Sequence, residues 1–345
     1  MHEKIKFLVD ALFNKKCKKD LQMDVVLNRE FLSRIRSIVA KIPFAWFIYR
    51  QYWRFRRWRE SQRDYSQKIT LLNFGDFSEP DLMKPVSQLC TSNQMLSPIY
   101  DYWCDVIKSP ARFSRKQWEF VYIMQALDQA GMLINGKRGL GFGCGREPLA
   151  GLFASKGCEI LATDLDTYKA HEKGWVDTLQ HAANLDDLYK TAKRILPKKE
   201  FYEKVQFQNV DMNYIPSKYF DQFDFVWSAC SLEHLGSLQH GLDFIKQSLK
   251  CLKKGGIAVH TTEFNLSSND QTFETPGCSL YRERDISQLI YELNSQGYTV
   301  APLNLNSGSK PVDKHIDFPP YGFSPHIKLM LEGYVITSIG LIISK

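Results

Sequence analysis

Apolar residues Phe31, Ile35, Ile38 and Ile42 recur at helical spacing, so the first 70 or so residues read as helices. A loop over Asn73–Pro80 follows, then aromatic helical stretches around Tyr100–Val106 and Gln117–Ala130, closed by Gly131 and Gly136. Beyond them short apolar runs alternate with amphipathic ones. The pattern predicts strands at Arg138–Phe142, Glu159–Thr163, Lys204–Asn209, Phe223–Ser228 and Ile257–Thr262. Between them it predicts helices near Glu147–Lys156, Leu238–Leu252 and Asp285–Gln296, and a partly helical stretch over Trp175–Lys193. Two late strands, Thr299–Asn304 and Tyr334–Ser344, flank a long insertion and are expected to pair antiparallel at a sheet edge. Such alternation is the signature of a doubly wound, Rossmann-like α/β sheet.

Three regions follow: a basic, aromatic helical extension (1–70), a helical cap that recognises substrate (71–135), and the α/β domain (136–345). No internal repeat or low-complexity tract interrupts them. With 44% hydrophobic and 24% charged residues among 345, the composition is that of a globular protein and excludes global disorder. The net charge of +7 is uneven: the first sixty residues carry fifteen Lys/Arg against six Asp/Glu. A basic extension on a near-neutral body suits a docking element better than a nucleic-acid groove across the catalytic face. The eight cysteines stand singly, without a C-x-x-C pair, so neither a metal site nor a disulfide framework is indicated. The start lacks a signal-peptide core, and the longest apolar-aromatic run, Ile42–Tyr49, is too short to span a bilayer, so a cytoplasmic location is expected.

The run Gly139-Leu-Gly-Phe-Gly-Cys-Gly145 ends the first predicted strand and opens a helix, where bare backbone can approach a ligand. The next strand ends at Asp164, followed by Leu165; a carboxylate there can accept both ribose hydroxyls of an adenosyl ligand. Asp211 and Met212, after the third strand, suit an adenine amino group and ring. A nicotinamide enzyme would show G-x-G-x-x-G, but the third position is Arg146 counting from Gly141 and Cys144 counting from Gly139.

On these residues the stretch from 137 to 345 resembles the class I S-adenosylmethionine-dependent methyltransferase family. Gly141, Gly143 and Gly145 match its first motif, Asp164 its second, and Asp211-Met212 its third. Phe225-Val-Trp-Ser-Ala-Cys-Ser-Leu-Glu-His234 matches the fourth-strand motif, and Leu249-Lys-Cys-Leu-Lys-Lys-Gly-Gly256 the turn before strand five. The resemblance implies a seven-stranded sheet with an antiparallel last strand. It implies S-adenosylmethionine as cofactor, released as S-adenosylhomocysteine and held by Gly141, Phe142, Gly143, Gly145, Glu147, Asp164, Leu165, Asp211, Met212, Ser228 and Ser231. The family commonly has an acid two residues before the first glycine of its loop. Counted from Gly141 that position is Gly139, which leaves Glu147 or a backbone carbonyl to meet the methionine amino group.

Methyl transfer to a hydroxyl needs alignment and a proton acceptor. His234 and Glu233, just past strand four, are the first candidates; Glu263 and Asn265 after strand five, and His315 in the insertion Asp313-Lys-His-Ile-Asp317, are acceptor-side candidates. Asp317-Phe-Pro-Pro-Tyr321 falls in the late insertion rather than after strand four, so amino-group methylation is not inferred. Ser87–Asn93, Tyr100–Cys104 and Arg112–Trp118 offer hydroxyl, amide, aromatic and cationic groups for acceptor selection. Residues 34–59 mix arginines with aromatics, which suits an anionic membrane surface, at the inner face of the membrane, or an acidic partner. A softer resemblance, to bacterial methyltransferases of surface-polysaccharide synthesis, implies a hydroxyl on a sugar, glycan or related small molecule as acceptor. An RNA methyltransferase and a catalytically silent adenosyl-ligand-binding protein are the other readings.

Overall fold

Eleven strands join one sheet in the computed structural model, which describes residues 43–61, 71–176, 180–322 and 324–345. Its parallel centre comprises β2 (Arg138–Phe142), β3 (Glu159–Asp164), β4 (Val205–Asn209), β5 (Phe223–Ala229) and β6 (Leu252–Asn265). They lie in the order β4-β3-β2-β5-β6. The chain steps outward from β2 through β3 and β4, then returns to the other side of β2 for β5 and β6. This reversal opens a crevice at the carboxyl ends of β2 and β5, where ligands bind in such sheets. β5 and the second part of β6 are buried and mostly apolar, whereas the edge strand β4, Val-Gln-Phe-Gln-Asn, alternates and is largely exposed.

The last strand, β7 (Tyr334–Ser344), runs antiparallel to β6 through nine residue pairs, from Ile336 opposite Asn265 to Ser344 opposite Ile257. The edge beyond it departs from the seven-stranded expectation. A short strand from the cap, β1 (Ser87–Leu89), adds antiparallel to β7 and carries Leu303–Asn304 parallel on its far side. The predicted strand Thr299–Asn304 is two pieces: Thr299–Val300 pairs with β7, and Pro302, which has no N–H to donate, separates it from Leu303–Asn304. Ile316–Asp317 and Lys328–Leu331 extend the sheet further at the end of β7.

Three helices of the amino-terminal half pack together: α1 (Pro43–Ser61), α2 (Pro98–Val106) and α3 (Arg115–Gln129). The predicted helical pattern Phe31–Ile42 lies outside the described residues. From α1, Trp53 is buried; Arg50 pairs with Asp105 at 2.5 Å and Arg57 with Asp101 at 2.6 Å, while Phe55 and Trp58 point outward. Much of its positive charge therefore neutralises acids on α2. α3 lies across β5, β6 and β7, with Trp118, Tyr122 and Ile123 fully buried. On the same face as α3 lie α4 (Leu149–Ser155) and α6 (Leu185–Ala192), which share its core; α5 (Thr167–Glu172) follows β3, and α7 (Leu238–Leu249) packs on the opposite face. No described helix is long and apolar enough to cross a membrane.

The polar cap segment expected to select an acceptor is spent internally. Gln94 receives the Trp118 indole N–H and the Gln88 amide, and donates to the Leu89 carbonyl. Trp103 donates to Gln125, and Tyr100 to the Arg112 carbonyl. In the late insertion, Asp313 accepts both the backbone N–H and the hydroxyl of Ser92, and Asp317 pairs with His326 at 2.7 Å. A buried polar group needs such partners, and here they come from within the chain.

Candidate active site

A cavity of about 660 Å³ opens at the carboxyl ends of β2, β3, β4 and β5. Its wall includes Gly143, Gly145, Asp164, Met212, Ser231 and His234, contributed by the four loops that the sequence motifs mark. Glu147, Leu165 and Asp211 line it as well.

The glycine turn begins later than the motif count suggested. β2 runs through Phe142, so Gly141 is a strand residue, and the turn glycines are Gly143 and Gly145, with φ of +57° and +50°. A Cβ on Gly143 would lie 2.9 Å from Ser231 Cβ, and one on Gly145 would lie 2.5 Å from the Gln180 carbonyl oxygen. Helix α4 starts only at Leu149, so the turn does not open directly onto a helix end. The Cys144 and Gly145 amides already donate to the Thr163 carbonyl and to Asp164. Counting back from Gly143 moves the family's acid position to Gly141. A side chain there would meet the Trp227 indole at 2.3 Å and Cys144 Sγ at 2.4 Å, so this chain has no room for that acid.

Two other carboxylates line the same cavity. Glu147 Oε2 and Glu119 Oε2 are both shut away from solvent without a hydrogen-bond partner among the described residues, although Lys116 Nζ lies 3.7 Å from the latter. Burial, reinforced by the neighbouring charge of Glu119, pushes the Glu147 carboxyl well above its usual range. A cation placed between the two would relieve both. Glu119 was missed because it sits in a stretch, Gln117–Ala130, whose pattern announces packing.

Asp164 accepts N–H groups from Gly145 at 3.1 Å, Ala182 at 3.0 Å and Leu165 at 2.8 Å. Burial raises its carboxyl, against the pull of these donors and of His181. A carboxylate offers roughly four acceptor sites, so about one remains for a ligand hydroxyl rather than the two expected. Asp211 receives Lys169 Nζ at 3.2 Å and the Asn213 N–H at 3.0 Å, and Met212 lies beside Gly143. Lys169, Trp175 and His181 also line the cavity, and no motif pointed to them.

His234 Nδ1 lies 2.7 Å from the Gly277 carbonyl oxygen. Because a carbonyl only accepts, Nδ1 carries the proton and Nε2 of the neutral ring keeps its lone pair. The ring packs edge-on to Trp175 at 4.5 Å. Nε2 lies 3.8 Å from Glu233 Oε1, which is fully buried and has no hydrogen-bond donor; the Thr262 hydroxyl satisfies the other oxygen.

The remaining predicted residues lie off this cavity. Phe142 packs edge-on to Phe244 in the core. Glu263 is buried behind the wall, its carboxyl bonded to Arg115; burial alone would raise it, but Arg115 and then Lys116 hold it below its usual range. Cys230, Glu233 and Glu263 form the one described group with metal-ligand spacing, but the Arg115 guanidinium reaches both Cys230 and Glu263, and burial keeps the thiol protonated. His315 ends the turn Pro311–Lys314 that Asp313 pins to Ser92, and it is not part of this cavity's wall.

Ser228 is buried against His260, at 2.8 Å from Nδ1, while Ser248 holds Nε2 at 3.1 Å. Burial depresses the His260 imidazole from 6.5 to about 3. The unfolded chain therefore takes up this proton first, so stability is lost as pH falls from 6.5 toward 3, by about 1.4 kcal/mol per unit from this group. His260→Gln should flatten the stability–pH profile between pH 6.5 and 5 in urea unfolding; parallel profiles would remove His260 from the account.

The adenosyl sulfonium implied by the resemblance fits these residues: a glycine turn, a carboxylate with spare acceptor capacity, and the Ser231 hydroxyl and one oxygen each of Glu119 and Glu147, without hydrogen-bond partners among the described residues, face one cavity. A family model described as a methyltransferase domain matches residues 115–300, more than half of the chain. No curated protein matches the sequence. Among solved structures, the chain is similar to the cyclase SpnF (20% identity, TM-score 0.37), with 53% of this chain and 60% of that one covered. It is also similar to a SAM-dependent methyltransferase from Aquifex aeolicus (13%, 0.35; 64% and 88% covered) and to the methyltransferase domain of bacterial CtHen1 (12%, 0.39; 66% and 97% covered). The chain thus spans less than two thirds of the cyclase's length.

Proposed function

Because this chain belongs to the methyltransferase-domain family, whose cofactor is S-adenosylmethionine, we propose that it methylates a hydroxyl of a sugar, glycan or related small molecule. The cofactor would be held by Asp164 at the ribose, Asp211 and Met212 at the adenine, and Glu147 with Glu119 at the amino group. When bound it supplies an already activated methyl group, so the protein has to align the acceptor and remove one proton.

The observation that carries the hydroxyl reading is the tautomer of His234. With Nδ1–H committed to Gly277, Nε2 is the atom able to take the acceptor's proton, and the imidazolium so formed would face Glu233 Oε1. The apolar faces of Phe120 and Trp175 on the cavity wall support exclusion of water from the reacting oxygen, and Trp175 offers a sugar ring a stacking surface. The outward Phe55 and Trp58 of α1 support a peripheral contact with an anionic membrane or an acidic partner; the rest of the 34–59 segment is partly outside the described residues.

Calorimetry with S-adenosylmethionine, S-adenosylhomocysteine and NAD tests the premise: the two adenosyl ligands should bind and NAD should not. Asp164→Ala should weaken S-adenosylhomocysteine binding by about tenfold or more, as expected for a hydrogen bond to a charged acceptor. Binding of NAD alone would overturn the assignment, and adenosyl binding without turnover on any hydroxyl acceptor would leave a silent binding protein.

A further inference from the structure

A second cavity, of about 450 Å³, adjoins the first and shares Lys116, Phe120 and Arg146 with it. Resting on the methyltransferase reading, we propose that this cavity holds the phosphate or diphosphate group of the acceptor whose hydroxyl is methylated in the first.

Its charge is one-sided. From the cap come Lys108, Arg112 and Lys116; from the opposite wall come Arg146, Lys190, Lys193 and Arg194. No acidic residue among the described residues lines it. Lys190 pairs with Asp187 and Lys116 with Glu119, both outside the lining, but Lys108, Lys193 and Arg194 have no carboxylate partner among the described residues. Cations at the end of α6 complement its dipole. That accounts for Lys193 and Arg194 but not for the three cations facing them from the cap. Like charges gathered around a cleft repel each other, and an anion between the two walls would reverse the sign of that interaction.

The neighbouring cavity has the opposite character near the glycine turn, where Glu119, Glu147 and Asp164 gather. An anionic ligand is therefore disfavoured there and favoured next door. A phosphoryl group carries about −1.5 to −2 charge at neutral pH, more than a single carboxylate, and so compensates more of the cations that have no carboxylate partner. Lys116, Phe120 and Arg146 line both cavities, so an acceptor anchored in one lies next to the other.

The test is titration of pyrophosphate into the full chain loaded with S-adenosylhomocysteine, at about 0.15 M salt so that loose surface attraction is screened. Pyrophosphate should bind, and the double variant Lys193→Gln/Arg194→Gln should weaken it by about tenfold or more, with S-adenosylhomocysteine affinity unchanged and Tm lowered only by the small loss at the end of α6. A nucleoside diphosphate and a short prenyl diphosphate would then tell a nucleotide carrier from a lipid carrier. Absence of pyrophosphate binding, or equal affinity in wild type and variant, overturns the proposal. So does an RNA oligonucleotide that binds more tightly and loses that affinity in the same variant. If S-adenosylhomocysteine fails to bind, the methyltransferase reading falls, while the variant's effect on pyrophosphate still tests the cavity by itself.

Discussion

His234→Ala should lower turnover by about 10²–10⁴-fold, the usual contribution of a general base, while S-adenosylhomocysteine affinity changes by less than about twofold. The asymmetry follows from where the ring stands. Its Nδ1 is held by the backbone of Gly277, and its Nε2 is the proton-accepting atom on the wall of the cavity. The groups assigned to the adenosyl ligand from Gly143 to Met212 belong to other loops, and Ser231 shares the turn of His234. His234→Gly extends the test, because added imidazole should restore part of the rate if the lost function is proton acceptance. Glu233→Gln should slow turnover less, since it removes the charge facing the imidazolium but leaves the base. Turnover and S-adenosylhomocysteine affinity falling together would assign His234 to cofactor binding instead, and an unchanged rate would remove it from the site.

How much of this was legible depended on whether the deciding interaction was local. β2 was readable to its last residue because Arg138–Phe142 is an apolar run ended by glycine, and both signals lie within a few positions. The glycine run concealed its own register. Gly141 and Gly139 look like turn residues, yet they are strand residues whose missing side chains make space for Trp227 and Phe225. Alternating glycines give no sign of whether the space above each belongs to a ligand or to a ring some 86 positions away in sequence. β1 was missed for the converse reason: Ser87-Gln-Leu89 is short and polar, and it is a strand because β7 presents it with partners across the whole chain. Pro302 was visible and under-used, since it marks the break between the two short strands at the sheet edge.

Charged residues were the hardest to place. A glutamate at the carboxyl end of a central strand suits a ligand, and Glu263 has that position, but its partner is Arg115, from the cap helix. Likewise the Ser87–Asn93 polar cluster looked like a recognition surface until Asp313 proved to be its partner. In both cases the expected partner was the acceptor. The partner was internal, and only tertiary structure supplies it.

Arg115→Met should cost about 3–5 kcal/mol of stability, the penalty for stripping one partner from a buried ion pair. The guanidinium is shut between Glu119, Glu263, Cys230 and the Ser338 hydroxyl, and so joins α3 to β5, β6 and β7 behind the cavity wall. Removing it leaves two buried carboxylates with reduced compensation. The double variant Arg115→Met/Glu263→Met should therefore be more stable than Arg115→Met alone, a non-additivity expected of residues in one network. The pH dependence has a definite sign. In the wild type Glu263 is held below 4.5, so its contribution is present above that pH and is lost as pH falls further. In Arg115→Met burial dominates and raises the same carboxyl, so proton uptake begins at higher pH and relieves the variant as pH falls. The stability gap, measured by urea unfolding, should narrow from pH 7 to pH 5. A gap that is constant with pH, or a double variant that loses the sum of the two single losses, would mean that Arg115 acts by packing rather than by charge.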